Sequence, residues 1–358
     1  MPSLKEIKGR INSISSTLAI TSAMKMVAAA KLQKAQMAIQ NMLPYERRLH
    51  SMLIDLMGAM NISAAASEDG SVRGSGSAER GFAQSGDRLS LSNRHDLAGM
   101  DGAYSLMAQR EVRKVAIVAF ASNSSLCGAF NSNAIREATA VINEYRASGL
   151  RDSDIVVYSV GRKMAEAMRK LGFPSPADFT KMSDSPSYEA ASALAQELLD
   201  GFVSGRFDKV ELVYNHYKST SSQPTTRQTY LPLSLADATA DLQAGKITDS
   251  ASETDTNRVA EPVGAPVVRQ GSPTTEDLIV EPSKEALIAT LLPKVIRLRI
   301  FTTLLDSAAA EHAARTVAMQ LATDNGNDLL QELTLEYNKG RQQKITSEIL
   351  DLVGGSMQ

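Results

Sequence analysis

The residues that most invite a chemical reading form a loop, SNSSLCGAFN at 122–131, between the apolar run KVAIVAF and a helical pattern. A loop that leaves a strand and ends at a helix N-terminus can collect an anion on its backbone N–H groups. The alternative is a structural turn, with Cys127 packed inside and Gly128 supplying backbone freedom. The usual phosphate signatures are missing. Gly245-Lys246 is followed by Ile247 rather than Ser or Thr, and Gly74-Ser75-Gly76 lies in a low-complexity stretch, not behind a strand. His50, His95, His216 and His312 share no metal-ligand spacing, and Cys127 is the single cysteine, so no internal disulfide or cysteine-based metal site is expected. No catalytic constellation emerges, and neither a cofactor nor a metal is expected.

Charge placement says more than any of these. Between Met1 and Tyr45 stand Lys5, Lys8, Arg10, Lys25, Lys31 and Lys34 against one acid, Glu6, and a second basic stretch holds Lys339, Arg341 and Lys344. Such runs are commonly solvated faces, and the sharper reading is a docking surface for acidic loops of a partner. The whole chain has a net charge of −2 and only 5% aromatic residues. Nucleic acid is therefore not expected, since neither a broad basic field nor stacking platforms are present.

The elements that must position these residues are dominated by two long helices. From Leu4 the positions Ile7, Ile11, Ile14, Leu18, Thr21, Ala28, Leu32, Ala35, Ile39 and Met42 alternate in steps of three and four, with gaps at multiples of these. That spacing is a coiled-coil seam. Val295, Leu298, Thr302, Leu305 and Ala309, then Leu330, Leu333, Ile345, Ile349 and Leu352, repeat it near the other end. Ser3 with Glu6 has capping-box spacing, and Pro44 and Pro293 are expected to kink or restart their helices. At 1.5 Å per residue the closing helix, 283–356, spans on the order of 110 Å, so other helices or chains must cover much of it. The terminal stretch 349–358 carries one charge, Asp351. It reads either as frayed helix or as a smooth tip seated in an apolar socket.

Between the helices, apolar strand patterns at 114–120, 154–160, 210–217 and 228–233 alternate with helical patterns at 131–147, 162–171 and 188–203. This predicts a largely parallel, Rossmann-like sheet covered on both faces, with the last two strands as an edge hairpin. Two polar segments, 64–103 and 237–277, read as flexible inserts. The expected class is α plus α/β: an antiparallel two-helix coiled coil with an inserted α/β domain. The divisions are 1–60 (first coil helix), 61–111 (insert), 112–235 (α/β domain), 236–279 (insert) and 280–358 (closing coil helix). No apolar run approaches the roughly 20 residues of a membrane helix, and the helix pattern starts too early to leave room for a leader. A soluble, cytoplasmic protein is expected. From these residues alone, a coiled-coil scaffold or tether with an α/β recognition head, and an α/β enzyme using the 122–131 loop, remain open.

The text IKGRINSISSTLAITSAMKMVAAAKLQKAQ at 7–36, the loop at 122–131 and AAEHAARTVAMQLATDNGNDLLQELTLEYNKGRQQKITSEILDLVGG at 309–355 resemble the γ subunits of F-type ATP synthases of the bacterial type. The resemblance covers 1–60, 112–235 and 278–358. It implies a noncatalytic central-stalk rotor at the cytoplasmic face of the bacterial inner membrane, peripheral to it. The shaft would turn inside a ring of α and β subunits, with the globular part on ε and the c-ring of Fo. It would couple proton flow to ATP synthesis and regulate ATP hydrolysis.

Residue by residue, the resemblance places contacts with the β catch loop at Met24, Lys25, Arg341 and Gln342. It places polar shaft positions tied to coupling at Arg315 and Thr346, and an apolar tip in the α/β collar at Ile349, Leu352 and Val353. Val280–Pro282 matches a Y-E-P triplet of the family's foot with valine for the aromatic, making Glu281 the residue near the c-ring. Gly340 stands where the family often has alanine. The joined termini of the two helices are expected to form the inserted end.

Overall fold

The computed structural model describes residues 3–68, 106, 110–233 and 284–356. Two helices, α1 (Leu4–Glu68) and α6 (Lys284–Ser356), account for most of them. The rest is an α/β unit: β1 (Val115–Phe120), α2 (Phe130–Ala147), β2 (Ile155–Val160), α3 (Arg162–Lys170), α4 (Thr180–Asp184), α5 (Tyr188–Val203), β3 (Lys209–Asn215) and β4 (Thr225–Leu231). The short helix α4 has no counterpart in the sequence reading. Most of insert 64–103, all of insert 237–277, His95, Glu281 and the proposed cap Ser283 lie outside the described residues.

The first helix outruns its predicted end near 60, continuing to Glu68 through Asn61-Ile62-Ser63-Ala64-Ala65-Ala66. Alanine is the best helix former, and three in a row carry the helix into a segment whose composition reads as polar linker. Neither proline interrupts its helix: Pro44 and Pro293 both lie inside continuous assignments. At the other end, the Ser3 hydroxyl accepts the Glu6 N–H at 3.2 Å, half of the expected capping box. The Glu6 carboxylate turns instead to Arg10, at 3.0 Å.

The sheet order is β2-β1-β3-β4, with β1 parallel to β2 and β3, and β4 antiparallel to β3. This is the parallel sheet with an edge hairpin that the strand patterns predict. Every residue of β1 is buried, as a strand covered on both faces requires. Val115, Ile117 and Ala119 face a core built with α2 and α3. Ala116, Val118 and Phe120 face the other core, which α5, α6 and Leu49 and Leu53 of α1 complete. The head is thus built onto the shaft through one sheet face. Gly161, at φ +96°, carries the chain across Ala121, whose carbonyl oxygen lies 2.0 Å from where a Cβ would stand. Only glycine fits there.

The two long helices pack antiparallel in a fixed register. The side chain of Leu4 lies at Gly340, and that of Leu18 at Gly326. Fourteen residues separate the partners on each helix (4 to 18 and 326 to 340), two heptads. Between these and the head, Thr21 meets Thr323 at 3.2 Å, Leu32 packs on Ala309 and Ala313, and Thr302 donates to Glu46 at 3.0 Å.

Candidate functional site

With Gly340 opposite Leu4, the residues after Gly340 run beyond the start of α1. Residues 341–356 form a single helix, about 24 Å long at 1.5 Å per residue. Every described side chain from Arg341 to Val353 is exposed. The expectation that both termini form the free end is therefore corrected: the end is α6 alone, and α1 stops about four turns short of it. The sequence signal was present in part: the 14-residue spacing of Gly326 and Gly340 matches that of Leu4 and Leu18, but the same spacing recurs at Leu32, so the glycines alone do not choose the register.

This bare helix is apolar at intervals. Ile345, Ile349, Leu352 and Val353 fall at i, i+4, i+7 and i+8 on one face, and with Leu350 they are between 47% and 75% exposed, an apolar stripe left open to solvent. Arg341 and Gln342 stand at its base, and the Thr346 hydroxyl donates to the Gln342 carbonyl at 2.9 Å, in the same helix. Met24 and Lys25 lie elsewhere. They sit one turn beyond the Thr21–Thr323 contact, about 30 Å along the shaft from Arg341, so the four predicted catch-loop residues occupy two levels. Met24 is 41% exposed and Lys25 half-buried.

Arg315 is neither on the bare helix nor free. Its guanidinium donates to Glu311 at 2.7 Å along α6 and to the Ser124 hydroxyl at 2.7 Å. It thereby ties the shaft to the loop after β1. Burial pushes the Glu311 carboxyl upward, against the pull of Arg315. Beside them His312 is pushed down to about 4, by burial first and then by Arg315 and Lys31, and so stays neutral near pH 7.

The 122–131 loop closes on itself. Asn131 accepts the N–H and the hydroxyl of Ser122, each at 3.0 Å, and donates to the Ser124 carbonyl at 3.1 Å. Cys127 is buried, Gly128 adopts φ +59° against Ala318, and Cys127 and Phe130 pack on Ala310. The turn reading of the loop holds, and what it packs on is the shaft.

In open α/β sheets the ligand crevice lies at the carboxyl ends of the strands, where the strand order reverses. Here β1 is that point, between β2 and β3. The space beyond Phe120, Ala121 and Val160 is occupied by Leu304, Ser307, Ala308 and Glu311 of α6. What remains is a cavity of about 10 Å³, the room of one water. Helix α6 fills the crevice that a nucleotide would use.

The end of β3 completes the junction. Asn215 donates to the Phe130 carbonyl at 3.1 Å, and His216 Nδ1 and the Tyr217 N–H meet the two carboxylate oxygens of Asp306 at 2.6 and 2.9 Å. Tyr217 Oη accepts from Gln36 of α1 at 2.6 Å. Reading the sequence missed this cluster. Its signal was AAAEHAA at 308–314, whose small side chains admit a close neighbour.

Inside the head, β3 carries a buried charge in an otherwise apolar strand. Glu211 accepts from Tyr145 at 2.6 Å, Arg227 at 2.7 Å and Lys209 at 2.6 Å, and Arg227 also pairs with Glu144. All of its partners lie within the head. Among the described residues no His, Cys, Asp and Glu group has metal-site geometry, and no helix is long and apolar enough to cross a membrane.

A family model described as ATP synthase matches residues 3–357. A protein of Phocaeicola vulgatus named ATP synthase gamma chain is 47% identical, covering all of both chains. One of the same name from Bacteroides thetaiotaomicron is 44% identical over the full length of each. Among solved structures, a chain of the Euglena gracilis mitochondrial ATP synthase, in an OSCP/F1/c-ring assembly, has a TM-score of 0.54 at 18% identity, covering 99% of this chain and 93% of its own. A chain of the rotor of the same enzyme gives 0.51 at 18%, covering 96% and 98%. At those identities the structures speak for the fold: two long terminal helices around a small α/β sheet.

Proposed function

Because the chain belongs to the ATP synthase γ family, we propose that it is the central-stalk rotor subunit of an F1Fo ATP synthase. In this reading it couples proton flow through the membrane sector to ATP synthesis in the α/β head and regulates ATP hydrolysis. The observation that carries the reading is the bare, apolar end of α6 on an antiparallel two-helix shaft, in a chain matched by the family from end to end. A shaft of two helices in fixed register resists twisting better than one. An end that exposes Ile349, Leu352 and Val353 offers a collar apolar contact, which is non-directional and need not be broken and remade as the shaft turns.

The chain is the noncatalytic subunit, with catalytic sites on β. Its work is done by shape and contact, and the shaft filling its own sheet crevice is in keeping with this. Ile349, Leu352 and Val353 seat in the α/β collar. Arg341 and Gln342, at the base of the bare helix, and Met24 and Lys25, further down, meet catch loops of β at two heights. Arg315 and Thr346 are coupling positions. The head, with Glu281 near its foot, rests on ε and the c-ring, so the protein lies peripherally at the cytoplasmic face of the bacterial inner membrane. The working divisions are coil, insert, α/β domain, insert and coil, with the first coil helix extended to Glu68.

Copurification tests the proposal. A tagged chain expressed in its own cell should bring down α, β, ε and c subunits, and alone it should not hydrolyse ATP. Recovery without α and β, under conditions that keep the complex whole, would overturn it.

A further inference from the structure

Three consecutive residues at the end of β3 reach three different helices. Asn215 donates to the Phe130 carbonyl at the start of α2, and its own side-chain oxygen accepts from Thr225 of β4 at 2.7 Å. His216 and Tyr217 share the Asp306 carboxylate of α6, one oxygen each. Tyr217 then extends to Gln36 of α1.

The Tyr217 ring occupies the middle of this arrangement. It packs on the shaft cluster of Leu32, Ala309 and Ala313 and also on the loop cluster of Cys127, Phe130 and Ala310. Ala309, Ala310 and Ala313 are fully buried, so a groove with alanine walls receives the ring where both shaft helices pass. One side chain therefore touches α1, α6 and the head loop, and its backbone lies two residues beyond the end of β3.

We propose that Tyr217, anchored by Asp306, is the joint through which the head and both helices of the shaft turn as one body. The inference rests on the rotor reading and names the residue that this reading requires and does not supply. Strand β3 pairs with both β1 and β4, so a load at its end spreads into the sheet rather than onto a loop. The carboxylate of Asp306 holds two successive residues and leaves the strand end no free rotation about α6. The bond to Gln36 adds the second helix, so the head grips the pair and not α6 alone. Arg315 on Ser124, at 2.7 Å, braces the same junction two turns further along the shaft.

The test uses the whole complex in membrane vesicles, comparing ATP-driven proton pumping with ATP hydrolysis. Tyr217→Ala should leave the subunit ratio unchanged and hydrolysis near wild type. Protons pumped per ATP should fall about threefold or more, within the range by which residues on a coupling route alter coupling. Tyr217→Phe keeps the ring and the N–H bond to Asp306 and should recover most of the loss. A residue that served folding alone would lower assembly and leave the ratio intact. Should Tyr217→Ala fail to assemble, the pair Asp306→Ala with Gln36→Ala carries the test, since it removes both bonds and leaves the ring in place. An unchanged pumping ratio in an assembled variant overturns the joint. A wild-type chain that does not assemble with α, β and c overturns the rotor reading instead.

Discussion

Thr21 and Thr323 meet across the shaft with their hydroxyl oxygens 3.2 Å apart, one turn from the point where Leu18 seats over Gly326. The pair marks the axial register of two helices that are each about 100 Å long. Exchanging both threonines for cysteine should give a disulfide under mild oxidation, because side chains in contact are within bridging range. Cys127 is buried in the head and does not compete. The cross-linked chain should run faster on a non-reducing gel, and an Arg10→Cys, Thr323→Cys control should not. Equal cross-linking of both pairs would mean that the helices slide.

The two glycine notches should respond differently to alanine. At Gly340 a new Cβ would lie 3.2 Å from the Leu4 side chain, which is half-exposed at the start of α1 and can move. The helix-propensity gain of up to about 1 kcal/mol should then appear as increased stability. At Gly326 the Cβ would lie 2.6 Å from Leu18 Cδ2 and 3.2 Å from Cγ. The leucine must change rotamer against a packed helix, at a cost of about 1 kcal/mol, and Gly326→Ala should gain little or nothing. Chemical denaturation of both variants measures the difference. Equal gains would show that Leu18 is not held in its notch.

Glu211 should make the head acid-sensitive. Burial alone would raise its pKa, but hydrogen bonds from Arg227, Lys209 and Tyr145 outweigh that and hold it below the usual 4.5. A depressed carboxylate contributes stability that is present above its unfolded value and lost as pH falls through the folded one. The loss should therefore develop below about pH 4.5 and be absent in Glu211→Gln. That variant should also be destabilised near neutrality by about 3 kcal/mol, the low end for breaking a buried ion pair, because Lys209 and Arg227 stay about a quarter exposed (26% and 27%). Thermal unfolding of both proteins across the acid range measures this. Parallel pH profiles would count against it.

Periodicity revealed most of the architecture. Steps of three and four marked both coil helices, and uninterrupted apolar strands marked the parallel sheet, because each pattern follows from which face a residue buries. Helix α5 matched its predicted bounds at Tyr188 and Val203. What stayed hidden depends on residues far apart in the chain. The unequal ends of the shaft follow from register, which Gly326 and Gly340 set only once Leu18 and Leu4 are known to face them. The sheet crevice looks open in sequence and is filled by Ser307, Ala308 and Glu311, more than a hundred residues later. Asp306 reads as a surface charge on a helix until His216 and Tyr217 are brought to it.

The His216–Asp306 contact should weaken with rising pH. The hydrogen bond that the imidazole donates to Asp306 raises it above its ordinary 6.5, against partial burial. A raised histidine contributes stability that is complete below the unfolded value and lost as pH rises through the folded one. The head–shaft junction should thus be firmest on the acid side of neutrality and loosen above it. Amide exchange at Tyr217, whose N–H is held by Asp306 at 2.9 Å, should quicken with pH beyond its intrinsic rate in wild type and not in His216→Asn. A shared slope in the two proteins would dismiss the ion pair as a contributor.

Arg341 and Gln342 stand where α6 leaves its partner, and both are exposed. Because neither packs against α1, replacing both with alanine should leave the fold nearly untouched, within about 0.5 kcal/mol, as surface substitutions away from special features do. Alanine favours the helix, so the bare segment should not fray. If these side chains meet a catch loop of β, their loss should appear only when the complex works. Subunits should copurify in the wild-type ratio, hydrolysis should continue, and protons pumped per ATP should drop. Lys5→Ala, on the start of α1, removes the same single positive charge and supplies the control for charge alone. A pumping ratio that stays at wild type in the Arg341, Gln342 variant, or falls equally in the lysine control, would remove the catch assignment while leaving the shaft and its joint at Tyr217 as they are.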